Sequence, residues 1–508
     1  MRMTSHRHHS LWIVGLISLL LVMAAGAQTP TPPWTPIWMR TPPAPTRSEA
    51  AQVSELEARR QAVLKAMEAN QVLVLFAAEP RVFANDVDYP YRQENNFWYL
   101  TGINQPGGIL VMSPGASPQV VLYMVKPDPA QESWTGHELT AAEIATLDGI
   151  GEVRDVAGFG KVSAHVPDGD SLLLLKGDVR EYPQEMRTRA ELAQAAPQLT
   201  VGDPAPIFAR LREVKSPWEI GLMQQAVDIS AEAHMRAMAL TLPGRWEYEI
   251  RAAMEAVYGM RHADGWGYPP IVASGTNPTT LHYETDQEQI PRQGLMLIDA
   301  AAEYGHMSAD ITRTYPMDGK FTPEQAAIYR LVYDAQQAMI ASVKPGSPAF
   351  GPIGDQVLIA GLEKLGLITT APGAPSPEQQ LRIWYFHGPS HAMGLAVHDV
   401  GGIARVPGAI FSMEPGLYFR LHTFTDNLPA PEDDAEAAQW KVFTEKVEPV
   451  FEKYRGIGVR IEDDILVTPQ GHRVLSAAIP SKLEEVEARF AALHAYIAQH
   501  GAPPPLLP

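Results

Sequence analysis

Two aspartates, Asp299 and Asp310, have the residue type and spacing of a metal site. They lie in the segment GLMLIDAAAEYGHMSADITRTY, which we interpret as a β-hairpin with a two-residue turn at Tyr304 and Gly305. This register predicts that Asp299 lies directly opposite Asp310. Facing carboxylates repel each other, but a divalent cation between them removes the repulsion, because hard metals prefer carboxylate oxygen. The alternative is a pair of solvated acids on a hairpin of different register.

Three later segments supply further candidate ligands. The segment FHGPSHAMGLAVHDVG contains His387, His391 and His398, SMEPGLY contains Glu414, and GVRIEDDILV contains Arg460 and Glu462. Alternation along a strand places Arg460 and Glu462 on one face, where a surface ion pair is the simpler alternative. Each segment alone fits an ordinary structural role. Together, four carboxylates and one imidazole are enough to hold two divalent ions about 3.5 to 4 Å apart, which would make a shared water nucleophilic near neutral pH.

The elements that must position these residues are predicted as two domains. Residues 48–205 begin with an Ala/Glu/Leu-rich helix at Ser48, continue with strand-like runs at 71–76, 108–112, 120–125 and 172–175, and are expected to form a mixed α/β domain. Residues 206–500 alternate helices with antiparallel hairpins, so we predict an α+β domain rather than a parallel doubly wound sheet. Its first long helix is predicted to begin at Ser216-Pro217-Trp218-Glu219, where the cap, the proline and the glutamate agree.

The two ends of the chain differ from the domains in composition. Residues 1–27 carry two arginines before an apolar run at 11–25 and an Ala-Gly-Ala site, a pattern typical of a secretory signal peptide. A membrane anchor is the alternative, but the run is shorter than the roughly 20 residues that span a bilayer. We therefore expect an exported protein, periplasmic or secreted, with no anchor after cleavage. Residues 28–47 predict a proline-rich linker, in which Trp34 and Trp38 are candidates for docking, and residues 501–508 a proline-rich tail.

Composition limits the class of protein and its partners. The chain has 508 residues, of which 45% are hydrophobic and 19% charged, and it has no cysteine. This is ordinary globular composition with room for two or three domains, and it excludes disulfides and an acylated-cysteine anchor. The formal charge of -18 becomes -20 without residues 1–27, which hold two arginines and no acids. Phosphate backbones would repel such a chain, so nucleic acid is excluded as a partner.

Five ordered segments are similar to the motifs of a known family. IDAAAEYGHMSADITRTYPMDGKF, HGPSHAMGLAVHDVG, MEPGLYF and YRGIGVRIEDDILVT resemble successive motifs of the pita-bread metallopeptidases of peptidase family M24B, in the Xaa-Pro aminopeptidase (aminopeptidase P) and prolidase branch. YPYRQENNFWYLTG resembles a motif of the aminopeptidase P N-terminal domain. The resemblance extends over roughly residues 50–490. It implies a C-terminal pita-bread domain preceded by a creatinase-like α/β domain.

The resemblance implies a metal-binding role for five residues. Asp299 would chelate one metal, Asp310 and Glu462 would bridge both, and His391 and Glu414 would complete the shell of the other. Oxygen-rich sites of this kind suit Mn²⁺ and also accept Zn²⁺ or Co²⁺. All five residues are present. Two divalent metal ions, with Mn²⁺ preferred, are therefore the expected cofactors.

The resemblance also implies the catalytic roles. Glu414 would act as general base, while His282, in the segment LHYETD, and His398 would contact the peptide and stabilise the oxyanion. His387 would have a supporting role in the pocket, and Arg460 would orient Glu462. The expected substrates are peptides with proline at the second position, hydrolysed before the proline by a hydroxide that bridges the metals.

Two departures from the family pattern leave alternatives open. The stretch between residues 400 and 414 is shorter than in the aminopeptidase P pattern. Residues 420–454 form a long acidic insertion, somewhat like the longer connection in prolidases. An Xaa-Pro dipeptidase with the same site is therefore the main alternative. A non-catalytic peptide-binding module is another, but it predicts lost ligands. A homodimer or homotetramer is compatible with the resemblance, with Trp98 as a candidate interface residue and the aromatic core of a monomer as the alternative.

Overall fold

The structure is a computed structural model that describes residues 37–46 and 48–506. The predicted signal peptide, residues 28–36 and Arg47 of the predicted linker, and the last two residues of the predicted tail lie outside this range. Within the described ranges, no helix is both long enough and apolar enough to cross a bilayer.

The N-terminal α/β domain is built on a six-stranded mixed sheet. Its elements are α1 (Glu49–Ala66), β1 (Gln71–Phe76), β2 (Val82–Ala84), β3 (Val87–Asp88), α2 (Asn95–Thr101), β4 (Ile109–Met112), β5 (Val120–Met124), α3 (Pro129–Thr135), α4 (Ala141–Asp148), β6 (Val153–Asp155), β7 (Ser171–Leu173), α5 (Pro183–Ala195) and β8 (Val201–Gly202). The strand order is β6-β5-β4-β1-β7-β8, with β1 antiparallel to β4 and parallel to β7. The predicted helix and the four predicted strands are confirmed. The strands form where the sequence has apolar runs, which is typical of strands buried on both faces.

The C-terminal α+β domain combines small antiparallel sheets with long helices. Its elements are α6 (Ala205–Glu213), α7 (Pro217–Leu240), α8 (Glu247–Met260), β9 (Gly265–Trp266), β10 (Ile271–Gly275), β11 (Leu295–Asp299), β12 (Ala302–Tyr304), β13 (Met307–Ser308), β14 (Thr312–Pro316), α9 (Pro323–Ser342), α10 (Gly351–Leu365), α11 (Pro377–Trp384), β15 (Ile410–Met413), β16 (Gly416–Tyr418), α12 (Thr423–Asp426), α13 (Asp434–Phe451), β17 (Gly458–Arg460), β18 (Asp463–Thr468), β19 (Gly471–Val474) and α14 (Leu483–His500). The sheets are β10-β11-β14, β13-β12-β9, β15-β18-β19 and β16-β17.

Helix α7 begins where the sequence predicts. The Glu219 backbone N–H donates to Ser216 Oγ over 3.2 Å, and the Ser216 N–H donates to Glu219 Oε2 over 2.9 Å. This reciprocal capping box satisfies two N–H groups that a helix start otherwise leaves unpaired. Most of the helix is then buried, and His234 on it lies 2.9 Å from the Ala300 carbonyl oxygen, beside the end of β11.

The predicted hairpin register is wrong. Tyr304 pairs with Met307, so the turn residues are one position later than expected. The same register continues into the longer ladder, where Asp299 pairs with Thr312 and not with Asp310. Asp310 instead lies in the short connection before β14. The two aspartates therefore approach each other from the end of one strand and the entry to the next, rather than across a ladder.

The register depends on a turn that needs two left-handed residues. Gly305 and His306 have φ angles of 58° and 59°, as a type I′ turn requires. Glycine adopts this conformation readily, whereas histidine is strained there. Two tertiary contacts hold His306: its N–H donates to Asp264 Oδ2 over 2.8 Å, and its ring stacks on Trp98 with centroids 4.0 Å apart. Neither contact is local, which is why the hairpin sequence alone did not predict it.

The second half of the predicted linker packs on the C-terminal domain. Trp38 contacts Tyr496 edge to face with ring centroids 5.2 Å apart, and the Thr41 N–H and hydroxyl donate to Glu232 over 2.8 and 2.6 Å. Part of the predicted tail also docks, since Arg236 donates to the Pro504 carbonyl. Residues 37–42 are thus a strap on the domain surface and not a free spacer.

Strand β17 depends on a glycine, which gives a stability prediction. A Cβ at Gly458 would lie 2.3 Å from the Pro278 carbonyl oxygen and 2.8 Å from the Thr279 nitrogen, whereas a Cβ at Gly471 has no neighbour within 4 Å. We expect Gly458→Ala to lower the free energy of unfolding by about 1–3 kcal/mol through overpacking, with Gly471→Ala as the control. Urea unfolding measures both, and equal free energies of unfolding for the two variants would contradict this packing.

Candidate active site

The first two predicted ligands come from the ends of neighbouring strands. Asp299 is the last residue of β11, and Asp310 precedes β14, the partner of β11. The connection between β17 and β18 joins the same strand, because the Glu462 N–H donates to the Thr312 carbonyl oxygen over 3.1 Å. This backbone bond sets Glu462 beside the two aspartates.

A second sheet places the two glutamates. Strand β15 pairs antiparallel with β18, with Met413 opposite Asp463. Continued by one residue, this register sets Glu414 opposite Glu462. The two side chains therefore lie next to each other although they are far apart in the chain.

His391 is joined to the same sheet by its backbone. Its N–H donates to Ser412 Oγ over 3.1 Å, and its carbonyl oxygen accepts the Ser412 N–H over 3.0 Å. A single β-bridge between Ala392 and Phe411 extends this pairing. The imidazole is thereby held against the strand that ends at Glu414.

The structure brings all five predicted ligands together. Ligand atoms of Asp310, His391 and Glu462 lie within 4.8 Å of one another. His391 Nε2 lies 3.2 Å from Asp310 Oδ2 and 3.6 Å from Glu414 Oε1. Asp299 is near enough that the charge of Asp310, after burial, raises the pKa of Asp299. Five donors from separate segments thus converge on one centre.

The site carries more negative than positive charge. Burial, together with the charges of Asp310, Glu414 and Asp299, raises the pKa of Glu462 well above its usual range. Burial also raises the pKa of Glu414 to about 7, although His391 opposes the shift. Buried like charges are costly unless cations offset them. Four carboxylate groups and one imidazole are a donor set that fits two hard divalent ions.

Arg460 donates directly to Asp299. Its Nη2 donates to Asp299 Oδ2 over 2.5 Å, and its Nη1 donates to the Tyr418 hydroxyl over 3.0 Å. The other Asp299 oxygen, Oδ1, accepts the Tyr268 hydroxyl over 2.5 Å. Arg460 therefore orients Asp299 directly, and it reaches Glu462, the residue it was predicted to orient, only through Thr312.

Thr312 links Arg460 to Glu462. Its Oγ1 accepts from Arg460 Nε over 3.1 Å and donates to Glu462 Oε2 over 2.7 Å. Sequence reasoning missed this residue, which begins β14 two positions after Asp310. Tyr418 was also missed, and its position four residues after Glu414 in the quoted motif was an available signal. Nothing in the local sequence pointed to Tyr268.

Two of the predicted histidines lie against the ligands. His387 Nε2 is 2.8 Å from the Tyr418 hydroxyl, and its Nδ1 is 3.4 Å from Glu414 Oε2. Burial and the charge of Arg460 lower the pKa of His387 to about 3, so its ring is neutral. The His398 ring centroid lies 4.1 Å from that of His391. Burial and His391 lower the pKa of His398 as well.

His282 approaches the site from the loop after β10. Its side chain is exposed, and its charge is among the smaller causes that lower the pKa values of His387 and His398. It therefore lies near both rings, on the solvent side of the half-buried His387. His306 stacks on Trp98 and takes no part in the centre.

Comparisons with known proteins agree on one family. Residues 221–469 match the model of metallopeptidase family M24, and residues 56–172 match the aminopeptidase P N-terminal domain. The Xaa-Pro aminopeptidase of Escherichia coli is 33% identical over 459 residues, covering 86% of this chain and 98% of that protein. The corresponding protein of Haemophilus influenzae is 32% identical over 443 residues, covering 85% and 96%.

Solved structures give the same result. Escherichia coli aminopeptidase P with the inhibitor Pro-Leu is similar with a TM-score of 0.75 and 30% identity, covering 89% of this chain and all of that one. The zinc-substituted enzyme in complex with product is similar with a TM-score of 0.74 and 29% identity, covering 88% of this chain and 99% of that one. This chain belongs to metallopeptidase family M24, in its Xaa-Pro aminopeptidase branch.

In this family member the N-terminal domain reaches the loop between His391 and His398. Arg92 Nη2 donates to the Leu395 carbonyl over 2.6 Å and to Glu303 over 2.8 Å. Arg212, at the end of the connecting helix α6, forms a buried ion pair with Asp399 next to His398. The two domains therefore both determine where the catalytic loop lies.

The protonation of the M24 centre gives a pH prediction. Burial lowers the pKa of His391, but Asp310 and Glu414 outweigh it and raise this pKa to about 9, while the pKa of Glu414 is about 7. The metal-free site therefore holds protons at neutral pH that metal binding must displace. We expect Mn²⁺ affinity to fall as pH drops below about 9, with about one proton or more released at pH 7.

Calorimetric Mn²⁺ titration at pH 7, in two buffers of different ionisation enthalpy, measures the protons released. His391→Ala should reduce the number, because the variant lacks the protonated ring. A binding enthalpy that is the same in both buffers would contradict the expected release.

Proposed function

We propose that this protein is a dinuclear metallo-aminopeptidase that removes an N-terminal residue preceding proline. The observation that carries the proposal is the convergence of Asp310, His391 and Glu462 within 4.8 Å, with Asp299 and Glu414 beside them. Its family relatives named Xaa-Pro aminopeptidases support the substrate class. The imide bond before proline has no N–H, so peptidases that bind that donor handle it poorly.

We assign the metals to the five converging donors. Asp299 would hold one ion, His391 and Glu414 the other, and Asp310 and Glu462 would bridge them. The oxygen-rich set favours Mn²⁺, with Zn²⁺ or Co²⁺ as substitutes. When bound, such a pair of ions lowers the pKa of a shared water and so supplies a nucleophile near neutral pH.

The protein's own groups orient and move protons around that centre. Glu414 would accept the proton of the attacking water, since a carboxylate that holds the metal stays within hydrogen-bond reach of a nucleophile bound there. His282 and His398 donate hydrogen bonds to the oxyanion that develops on the substrate carbonyl. His387 steadies Glu414 and Tyr418, while Arg460 keeps Asp299 in place.

An Xaa-Pro dipeptidase is the second candidate. The insertion at residues 420–454 begins two residues after Tyr418, whose hydroxyl lies in the site. Much of the insertion is helix α13, which packs Phe443 and Phe451 into a cluster around Trp384. The insertion begins close to the site, and a loop beside the cleft can exclude longer peptides. This position supports the dipeptidase as an alternative.

We further propose an exported protein, periplasmic or secreted, with no membrane anchor after cleavage. The charged, apolar and small-residue pattern of residues 1–27 supports export.

A homodimer or homotetramer is also proposed. The stack of Trp98 on His306 within one chain favours an intramolecular role for that tryptophan over the interface role.

The substrate proposal predicts a specific order of rates. With Mn²⁺, an Xaa-Pro-Xaa tripeptide and longer peptides should be cleaved before the proline, whereas an Xaa-Ala-Xaa tripeptide should not. Exhaustive chelation should abolish the rate, and added Mn²⁺ should restore it. Cleavage of an Xaa-Pro dipeptide with none of the tripeptide would favour the dipeptidase instead. Product release followed by mass spectrometry measures all arms.

Asp310→Asn tests the bridging role. The amide keeps the shape of the side chain but removes its charge and one anionic donor to the metals. We expect kcat to fall by about 100-fold or more, because loss of a hydrogen-bond partner of a metal ligand already costs about 10- to 100-fold. Asp334→Asn, an exposed position on α9, is the matched control and should keep the parent rate. Steady-state kinetics and metal content by mass spectrometry are measured together. Full activity in Asp310→Asn would refute the dinuclear assignment.

A further inference from the structure

Glu247 is a fully buried carboxylate that accepts five hydrogen bonds from neutral donors. It is the first residue of α8 and has no exposed surface. Oε1 accepts from the Ser274 N–H and hydroxyl, both over 2.7 Å, and from Asn277 Nδ2 over 3.0 Å. Oε2 accepts from the Tyr283 hydroxyl over 2.8 Å and from the Glu288 N–H over 3.0 Å.

These donors span one segment, residues 274–288. After β10 ends at Gly275, only a short 3₁₀ turn, Asn277–Thr279, gives this segment regular structure. Glu247 contacts the start, the middle and the end of the segment, and its own N–H donates to the Glu288 carbonyl oxygen over 3.1 Å. The middle contact is Tyr283, the residue directly after His282. A single carboxylate thus joins the start, the middle and the end of the loop that carries His282, a predicted substrate histidine.

Other anchors hold the two sides of the loop but not its centre. Asp286 accepts the Val272 N–H over 3.1 Å and Arg251 Nη1 over 3.0 Å. The backbone at Pro278 packs on Gly458 of β17. Between these points the exposed His282 is followed by Tyr283, whose ring packs against Ile271, Ala273 and Leu297 and whose hydroxyl is bonded to Glu247.

The two oxygens of a carboxyl group match these five donors, whereas an amide does not. Two of them are backbone N–H groups, one on each oxygen, and a backbone N–H cannot become an acceptor. Glutamine would place its NH₂ group against the Ser274 N–H or the Glu288 N–H, leaving a buried donor unsatisfied. Ordinary helix formation does not require this side chain, because the capping role in the same turn belongs to Glu249, which accepts the Trp246 N–H.

We propose that Glu247 is a positioning residue for His282, holding it, through Tyr283 and the loop at 274–288, where its ring reaches the substrate oxyanion. The inference rests on the proposed function for the role of His282, but the anchoring of the loop is independent of it. Loss of Glu247 would therefore reduce catalysis through His282 while the metal ligands stay in place.

A double-mutant cycle on the full, Mn²⁺-loaded enzyme tests the catalytic part. Removing one oxyanion donor typically costs about 10²–10³ in kcat, so we expect about that loss for His282→Ala and about tenfold for Glu247→Gln, each with unchanged metal content. In the His282→Ala background, Glu247→Gln should add less than about twofold, since residues acting through one group are not additive. Multiplicative losses would overturn the proposal. Glu249→Gln, the same change in the same turn, should keep the parent rate.

Hydrogen–deuterium exchange tests the anchoring without any activity. Amides at 276–287 should exchange about tenfold faster in Glu247→Gln than in the parent or in Glu249→Gln. Unchanged exchange there would overturn the proposal. If the parent cleaves no Xaa-Pro peptide but this loop still loosens, the anchoring stands and the proposed function fails.

A milder variant covers the case in which Glu247→Gln does not fold. Tyr283→Phe removes one of the five donors and keeps the ring. We expect a loss of about threefold in kcat that disappears in the His282→Ala background, with the melting temperature close to that of the parent. A Tyr283→Phe enzyme with parental kcat and parental exchange at 276–287 would contradict the proposed path through Tyr283.

Discussion

Repulsion among four carboxylates in one buried volume is the constraint that this structure is organised to withstand. Burial and the charges of neighbouring acids raise the pKa values of Glu462, Glu414 and Asp299, which share this volume with Asp310. Arg460 is the main fixed cation among them, and it is bonded to Asp299. Such a cluster lowers the stability of the fold unless cations are bound. It therefore serves metal binding rather than stability.

The framework around the centre makes that crowding possible. Asp310 is held through its N–H by Asp464, Glu462 through its hydroxyl partner Thr312, and His391 through Ser412. Behind them, Arg313 is completely buried and bonded to Asp463 and to backbone carbonyls, which locks β14 against β18. Each ligand is therefore fixed by a neighbour that is itself fixed, as precise catalytic geometry requires.

The loops that carry the histidines are held differently from the strands that carry the acids. The loop after His391 is held by Arg92 and by the Arg212–Asp399 pair, which come from the N-terminal domain and the connecting helix. The loop with His282 is held by Glu247. Loops that are anchored at a few polar points can adjust to a peptide while the ligand strands stay rigid, a division that suits an enzyme acting on varied N-terminal residues.

Local sequence determined much of this protein. Capping at Ser216 and the strand at 71–76 follow from short patterns, because caps and apolar runs are properties of neighbouring residues. The residues that converge on the site were identified by the resemblance of their segments to family motifs. The two-domain class also followed, since it depends on the order of such patterns.

Tertiary structure alone decided the register of the hairpin, the partner of Arg460 and the docking of residues 37–42. The register depends on His306 in a left-handed conformation that Trp98 and Asp264 hold. Arg460 bonds Asp299 although the two are 161 residues apart in the chain. Short patterns could not determine these choices, because each is a competition among contacts between distant segments, and only the folded chain brings the competing groups together.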